Sequence, residues 1–254
     1  MVAPRNRILV TGGGTFIGNH ITAALLAEGA DVRVLVRPGA EPLLGHMADE
    51  VEWWSGNVWN AASLKGRARG SRMVIHTVGG MSTYPAQGLT YQYINFLSLQ
   101  NVANMCVTDG AQHIMLISAA RAPWLPRGYV QAKRMAENYM ARVGLRSTVV
   151  RAPILYQRGK PRPLLYRLIS LAAALSPVGG RSAPMPVDVF ARGVARLAMS
   201  EDGGRVIYYA GDLWRLNSRE ERRGMPYEMP APGILIPEPP VNEADTKPNQ
   251  PVSQ

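Results

Sequence analysis

Short apolar runs alternate along the chain with longer stretches in which apolar residues recur every three or four positions. Period-two or continuous apolar runs predict strands, and the longer period predicts amphipathic helices between them. The predicted strands cover residues 8–10, 31–36, 51–54, 73–78, 113–118 and 146–151. Strands that alternate with helices in this way predict an α/β fold with a doubly wound parallel sheet.

Three consecutive glycines end the first predicted strand. The segment Thr11–Gly18 fits the spacing T-G-x-x-G-x-x-G, although Thr15 replaces the middle glycine and Gly14 comes one residue early. A glycine turn before a helix presents free backbone N–H groups to an anion, ordinarily a dinucleotide pyrophosphate. The β-branched Thr15 could obstruct that approach, and a turn that serves strand–helix packing alone is the alternative. The candidate cofactor-binding residues of the turn are Gly12, Gly14, Thr15, Phe16, Ile17 and Gly18.

The residue that follows the second predicted strand is Arg37. An acidic side chain at this point would accept hydrogen bonds from ribose hydroxyls, whereas an arginine suits a 2′-phosphate. The sequence therefore favours NADP(H) over NAD(H), with Arg33 as a second candidate contact. A solvated arginine at a strand end is the alternative.

A tyrosine and a lysine four residues apart, Tyr129 and Lys133, open a predicted helix after the fifth strand. This spacing puts both side chains on one helix face. We expect Lys133 to lower the pKa of Tyr129 and to hydrogen-bond the nicotinamide ribose, which makes Tyr129 a candidate general acid for a carbonyl that receives hydride. Ser118, at the end of the fifth strand, is a candidate for orienting the same oxygen. An exposed helix with an incidental pair is the alternative.

Together these residues resemble the short-chain dehydrogenase/reductase superfamily, in its extended or atypical branch, over residues 7–216. The resemblance also includes Gly56–Val58, Arg151–Tyr156 and Pro186–Val189. It implies a Rossmann-like fold, with Asn57 and Val58 at the adenine, Val78 and Gly79 at the ribose side, and Tyr129 and Lys133 at the nicotinamide.

The end of the second strand, Val-Arg-x-Leu-x-Arg, is similar to two groups within that superfamily. One is the NADPH-binding accessory subunit of mitochondrial respiratory complex I with its bacterial relatives, and the other comprises NADPH-dependent reductases and epimerases of small molecules. Three departures weaken the prediction of an enzyme: Thr15 for glycine, Asn57 for aspartate, and a short C-terminal lobe.

We predict a dinucleotide-binding domain over residues 1–216, with a small lobe at about 157–186, and an extended tail over 217–254. One amphipathic helix is predicted at 161–178, which would cap the site, pack on the sheet or lie on an anionic membrane surface. Eight prolines follow Trp214, and this many prolines oppose regular helix or sheet. Residues 234–236, which lie among them, are nevertheless apolar. Such a tail suits docking along a partner protein.

Composition excludes several classes of protein. A single cysteine, Cys106, leaves no disulfide framework, and the four histidines lack ligand spacing, so no metal site is expected. The net charge of +10 favours anionic partners, but the basic residues are scattered, which makes nucleic acid an unlikely partner.

The leading hypothesis is an NADP(H)-binding accessory subunit of a larger, membrane-associated assembly. The alternative is an active reductase or epimerase that uses Ser118, Tyr129 and Lys133; the mitochondrial matrix and the bacterial cytoplasm both remain open.

Overall fold

The computed structural model describes residues 7–159, 183–200, 206–222 and 227. Its strands, in chain order, are β1 (Arg7–Gly13), β2 (Asp31–Val36), β3 (Glu52–Ser55), β4 (Met73–His76), β5 (His113–Ala119), β6 (Arg146–Ala152), β7 (Leu155–Tyr156), β8 (Met185–Pro186) and β9 (Ile207–Tyr209). Its α-helices are α1 (Phe16–Ala27), α2 (Ser98–Asp109), α3 (Arg127–Arg142), α4 (Val187–Met199) and α5 (Ala210–Arg215). The helix predicted at 161–178 and the apolar residues 234–236 lie outside the described residues, and the predicted division into domain, lobe and tail stays a prediction.

Seven strands form one parallel sheet in the order β3-β2-β1-β4-β5-β6-β9, and β7 pairs with β8 in a separate two-stranded sheet. The predicted doubly wound α/β sheet is therefore confirmed. The spatial order reverses between β1 and β4, because the chain builds outward first on one side and then on the other. A crevice opens at such a switch point, outside the carboxyl ends of the strands, and ligands bind there.

Both faces of the sheet carry a packed core. Ile8 and Val10 of β1 belong to one core, with α1 and α4 above them, whereas Leu9 belongs to the other core, beneath α2 and α3. Successive strand residues face opposite sides, so a strand covered on both faces is apolar throughout. This explains why β1 and β2 consist of nearly continuous apolar runs.

Three predicted helix boundaries were wrong or imprecise. The helix predicted from Ala61 is only a 3₁₀ turn, Ala61–Leu64, because Gly66 and Gly70 both adopt positive φ, 81° and 73°. The long helix predicted before β5 contains a π-helical turn at Tyr93–Leu97 ahead of α2. Helix α3 starts at Arg127, so Tyr129 lies within its first turn rather than at its start.

The described residues after α5 return onto the domain. Arg196 of α4 pairs with Glu221 and also with Glu28 at the end of α1. The mostly charged segment 218–222 forms a turn, in which Arg222 N–H donates to Ser218 O at 3.1 Å. This segment is held against the domain, because Glu221 pairs with Arg192 and Arg196, both of α4. None of the helices in the described part of the chain has the length and apolar character needed to cross a bilayer.

Candidate functional site

The glycine turn brings α1 close to β1. A Cβ atom on Gly18 would lie 2.1 Å from the Gly12 carbonyl oxygen, and a Cβ atom on Gly12 would lie 2.5 Å from Thr77 Oγ1. Gly12 also has a φ of +90°, which disfavours any other residue. Both glycines are therefore required for the close packing that aims the N-terminus of α1 at the crevice.

Thr15, which the sequence predicted as an obstruction, is the N-cap of α1. Its hydroxyl donates to Gly12 O at 2.6 Å and accepts from Gly18 N at 3.0 Å. The Gly14 N–H donates to Asn19 Oδ1 at 2.8 Å. The side chain of Thr15 is thus folded into the cap, where it satisfies one of the helix's unpaired backbone donors.

A small pocket lies on one side of the turn, between β1, β2 and the segment after β3. It contains four of the predicted cofactor residues, Gly12, Arg37, Val58 and Val78. Asn57 does not line it, because its side-chain oxygen accepts a hydrogen bond from Trp59 N at 2.9 Å and closes a local turn. The pocket has the position that an adenosine occupies in a doubly wound fold.

Arg33 is not available to a nucleotide, contrary to the sequence prediction. Its guanidinium donates two hydrogen bonds to Glu52, at 2.8 and 2.9 Å, and stacks 3.7 Å above the centre of the Trp54 ring. Only 4% of the residue is exposed. Arg33 therefore joins β2 to β3 and leaves Arg37 as the arginine at the pocket.

A larger cavity of about 390 Å³ opens on the other side of the turn. Phe16 and Ile17 contribute from the start of α1. Predicted site residues from three further elements meet there, namely Gly79, Ser118, Tyr129 and Lys133. The rest of the wall is mainly apolar and comprises Met81, Ala119, Ala120, Ala122, Trp124, Leu125, Ala152, Pro153, Ile154 and Leu155, with Thr77 and Ile117.

Lys133 is buried at the base of this cavity, with 3% of its surface exposed. Its Nζ donates to Ile117 O at 3.2 Å and to Val78 O at 3.5 Å. A Cβ atom on Gly79 would lie 2.4 Å from Nζ, so the glycine makes room for the ammonium group. Burial lowers the pKa of Lys133 to about 8, although the charge of Glu137 opposes that shift.

Tyr129 is half-buried in the cavity wall. Burial raises its pKa to about 12, against a smaller lowering by the charge of Arg134. The prediction that Lys133 lowers this pKa was wrong, because burial dominates and the lysine charge makes no resolved contribution. The phenol is therefore protonated throughout the neutral range.

Ser118 donates its hydroxyl proton to Glu137 Oε1 at 2.6 Å. Arg151 Nη2 donates to Glu137 Oε2 at 2.6 Å, and Arg134 pairs with the same carboxylate. Burial alone would raise the pKa of Glu137, but the hydrogen bonds from Arg151 and Ser118 and the arginine charges outweigh burial and lower it. The carboxylate behind Ser118 is therefore ionised.

Sequence reasoning missed Glu137 and Asn95. Glu137 follows Lys133 by the same four residues that separate Lys133 from Tyr129, and this spacing was the available signal. Asn95, in the π-helical turn, accepts from Gly80 N at 3.1 Å and donates to Gly80 O at 3.0 Å. It holds the strand-end glycines beside the cavity, and π-helical turns are frequent at functional sites.

A buried histidine lies below the glycine turn. His76 Nδ1 is 2.8 Å from Thr11 Oγ1, and burial, assisted by the charge of Lys133, lowers its pKa to about 3. It is therefore neutral at the base of the site.

Across the described ranges no group of three or more His, Cys, Asp or Glu residues could hold a metal ion. Cys106 is buried.

These residues fit a dinucleotide. Two pockets flank a turn that requires glycine at positions 12 and 18, the larger pocket contains a buried ammonium group, and the N-terminus of α1 faces the crevice between them. The partial positive charge of a helix N-terminus stabilises a pyrophosphate.

Comparison with known proteins agrees with this geometry. A family model described as NAD(P)H-binding matches residues 12–174. A ceramide reductase from Caulobacter vibrioides is 31% identical over 177 residues, which are 68% of this chain and 53% of that protein, so the chain spans about half the length of that relative.

Solved structures share the fold at low identity. MoeE5 in complex with UDP-glucose and NAD has a TM-score of 0.57 and 23% identity, over 80% of this chain and 74% of that one. A short-chain dehydrogenase/reductase from Veillonella parvula in complex with NADP has a TM-score of 0.57 and 16% identity, over 78% and 89% of the two chains.

Proposed function

Because the chain belongs to a family of NAD(P)H-binding proteins, we propose that it is an oxidoreductase of the short-chain dehydrogenase/reductase type that reduces the carbonyl group of an apolar molecule. The observation that carries this proposal is the meeting of Tyr129, Lys133 and Ser118 at one largely apolar cavity beside the glycine turn.

In the proposed reaction a bound reduced nicotinamide supplies a hydride to the carbonyl carbon. Tyr129 holds a proton at its phenol oxygen and transfers it to the carbonyl oxygen, so that the carbonyl becomes an alcohol. Lys133, with a pKa of about 8, keeps a positive charge beneath the site at neutral pH and would hydrogen-bond the nicotinamide ribose. The apolar walls exclude water, which strengthens each of these interactions.

The pKa values favour reduction over alcohol oxidation. Oxidation requires Tyr129 to start as a phenolate, and burial, which raises its pKa to about 12, makes that form scarce at neutral pH. In the reductive direction the proton is already in place. General acid catalysis of this kind contributes about 10²- to 10⁴-fold to a rate.

The shape and chemistry of the cavity support an apolar substrate. Trp124, Leu125, Ile154 and Leu155 line it, and Met81, which is 55% exposed, lies at its rim. The ceramide reductase relative carries a lipid name, which is consistent with an apolar carbonyl compound as the substrate here. We further propose NADPH as the preferred cofactor, because Arg37 lines the adenosine-side pocket and would pair with a 2′-phosphate.

The test is NADPH oxidation with a panel of medium- and long-chain ketones. Tyr129→Phe should lower turnover by at least about 100-fold while NADPH still binds. Tyr139→Phe is the matched control, because Tyr139 lies on the same helix and its hydroxyl donates to Asn104 at 2.7 Å, away from the cavity. Equal turnover in wild type and Tyr129→Phe would contradict the proposal.

A second proposal is an NADP(H)-binding accessory subunit of a larger, membrane-associated assembly such as respiratory complex I. It is favoured by the C-terminal end of α5 and the residue that follows it, where Trp214 and Leu216 are more than one-third exposed, as the rim of a partner contact would be. Under this proposal the protein, isolated from its source in mild detergent, migrates with other subunits, and Tyr129→Phe leaves the assembly intact. Isolation as a lone chain or a homo-oligomer would count against it.

A further inference from the structure

The hydroxyl proton of Ser118 is directed away from the cavity. Ser118 Oγ lies 2.6 Å from Glu137 Oε1, and a carboxylate can only accept, so the serine must be the donor. A serine hydroxyl has one proton. While this bond exists, Ser118 cannot donate to a ligand.

Glu137 is held in this acceptor state by several groups. Arg151 donates to both carboxylate oxygens, from Nη2 at 2.6 Å and from Nε at 3.2 Å, and Arg134 pairs with Oε1. Arg151 Nη1 also donates to the Tyr209 hydroxyl at 2.6 Å. The Glu137 side chain is only 8% exposed, so loss of its charge would leave two partly buried arginines without their carboxylate partner.

The oxygen of Ser118 nevertheless remains an acceptor. The residue lines the cavity, and its oxygen accepts one long hydrogen bond, from Arg134 Nη1 at 3.4 Å. Hydroxyl oxygens have two lone pairs. Arg134 uses one of them, and the other is left for a ligand in the cavity that Ser118 and Tyr129 both line.

We propose that Ser118 accepts a hydrogen bond from a hydroxyl or amide N–H that the substrate carries next to its carbonyl, and that Glu137 is the positioning residue that sets this polarity. Tyr129 is then the donor to the carbonyl oxygen. The substrate class is an apolar α-hydroxy or α-acylamino ketone. This inference rests on the proposed carbonyl reduction, since it assigns a second contact to the same substrate.

The test compares two ligands of equal shape, 1-hydroxy-2-octanone and 3-nonanone, which differ only by a hydroxyl in place of a methyl group. Their dissociation constants are measured by calorimetry with NADP⁺ present, in a Tyr129→Phe background that blocks turnover. We expect the hydroxyketone to bind about tenfold more tightly, the value of one buried hydrogen bond. The ether 1-methoxy-2-octanone, which cannot donate, should lose this advantage.

Adding Ser118→Ala should abolish the tighter binding of the hydroxyketone. Adding Glu137→Gln should reduce it, because the amide N–H of the glutamine can donate to Ser118 and turn the serine proton toward the cavity. The ratio of the dissociation constants of the two ketones is taken within each variant, so a general loss of stability affects both constants and leaves the ratio unchanged. Equal affinities, including no measurable binding of either ketone, would overturn the inference. A Ser118→Ala change that weakens both ketones equally would also overturn it, because it would make Ser118 a donor to the carbonyl. The proposed function fails separately, if Tyr129→Phe turns over the ketone panel as fast as the wild type.

Discussion

Replacement of Gly18 by alanine tests the geometry of the glycine turn most sharply. The new Cβ would lie 2.1 Å from Gly12 O and 2.8 Å from Gly12 C, where ordinary contacts begin near 3.4 Å. Both neighbouring atoms are backbone, so helix α1 itself must move by about 1 Å. Overpacking of this kind costs about 1–3 kcal/mol, and we expect the upper end because no flexible side chain can yield.

A helical glycine replaced by alanine gains about 1 kcal/mol of helix propensity, which offsets part of that cost. The net loss in free energy of unfolding should be about 2 kcal/mol, which corresponds to a fall in Tm of roughly 4–8 °C. Because α1 carries the donors for the pyrophosphate, the Kd for NADPH should rise at least about tenfold. Calorimetric melting and titration measure both quantities.

Gly80→Ala is the matched control, since its nearest neighbour would be Ile94 Cγ2 at an ordinary 3.7 Å. It should leave the Kd for NADPH unchanged. A Gly18→Ala protein with the wild-type Tm and the wild-type Kd for NADPH would refute the reasoning.

Three further predictions follow from the charged groups. Arg37→Gln should weaken NADPH binding about tenfold without affecting NADH, whereas Arg33→Gln should destabilise the fold and leave the NADPH/NADH affinity ratio unchanged; a changed ratio in Arg33→Gln would contradict its assignment to Glu52. The pKa of His76 is about 3 in the folded protein and 6.5 in the unfolded chain. Protonation of the unfolded chain should therefore lower the free energy of unfolding by about 1.4 kcal/mol for each pH unit between pH 6.5 and 3. In urea unfolding, the free energy of unfolding of His76→Gln should depend less steeply on pH than that of the wild type. An unchanged pH dependence would argue against a buried neutral ring. Lys133, with a pKa near 8 in the fold against 10.5 unfolded, should make stability rise from pH 8 to 10.5 while NADPH affinity declines. Lys133→Met should abolish both trends.

Much of the fold could be predicted from the sequence because its signals are local. The apolar runs of β1 and β2 and the glycines at 12 and 18 each act within one βα unit, and the structure has them where the pattern indicated. The spacing of Tyr129 and Lys133 likewise required only helix geometry. Their convergence with Ser118 followed from the rule that parallel strands end at one edge of the sheet.

What could not be predicted depends on contacts between elements. The role of Arg33 is decided by the register that sets it beside Glu52 on β3, and no pattern within β2 reveals that register. The pKa of Tyr129 depends on burial by the surrounding elements, which outweighs the nearby lysine expected from spacing. Glu137 acquires its function only when β5 and β6 bring Ser118 and Arg151 to the same helix face.

The central claim is that this site transfers hydride to a carbonyl. The most direct measurement is a reaction of the protein with NADPH deuterated on the reactive carbon and 1-hydroxy-2-octanone, with mass spectrometry of the products. We predict one deuterium on the new carbinol carbon, formed by the wild type and by Tyr139→Phe and at least about 100-fold more slowly by Tyr129→Phe. Stoichiometric NADPH binding with no deuterium in any product would contradict the claim and favour the accessory-subunit role.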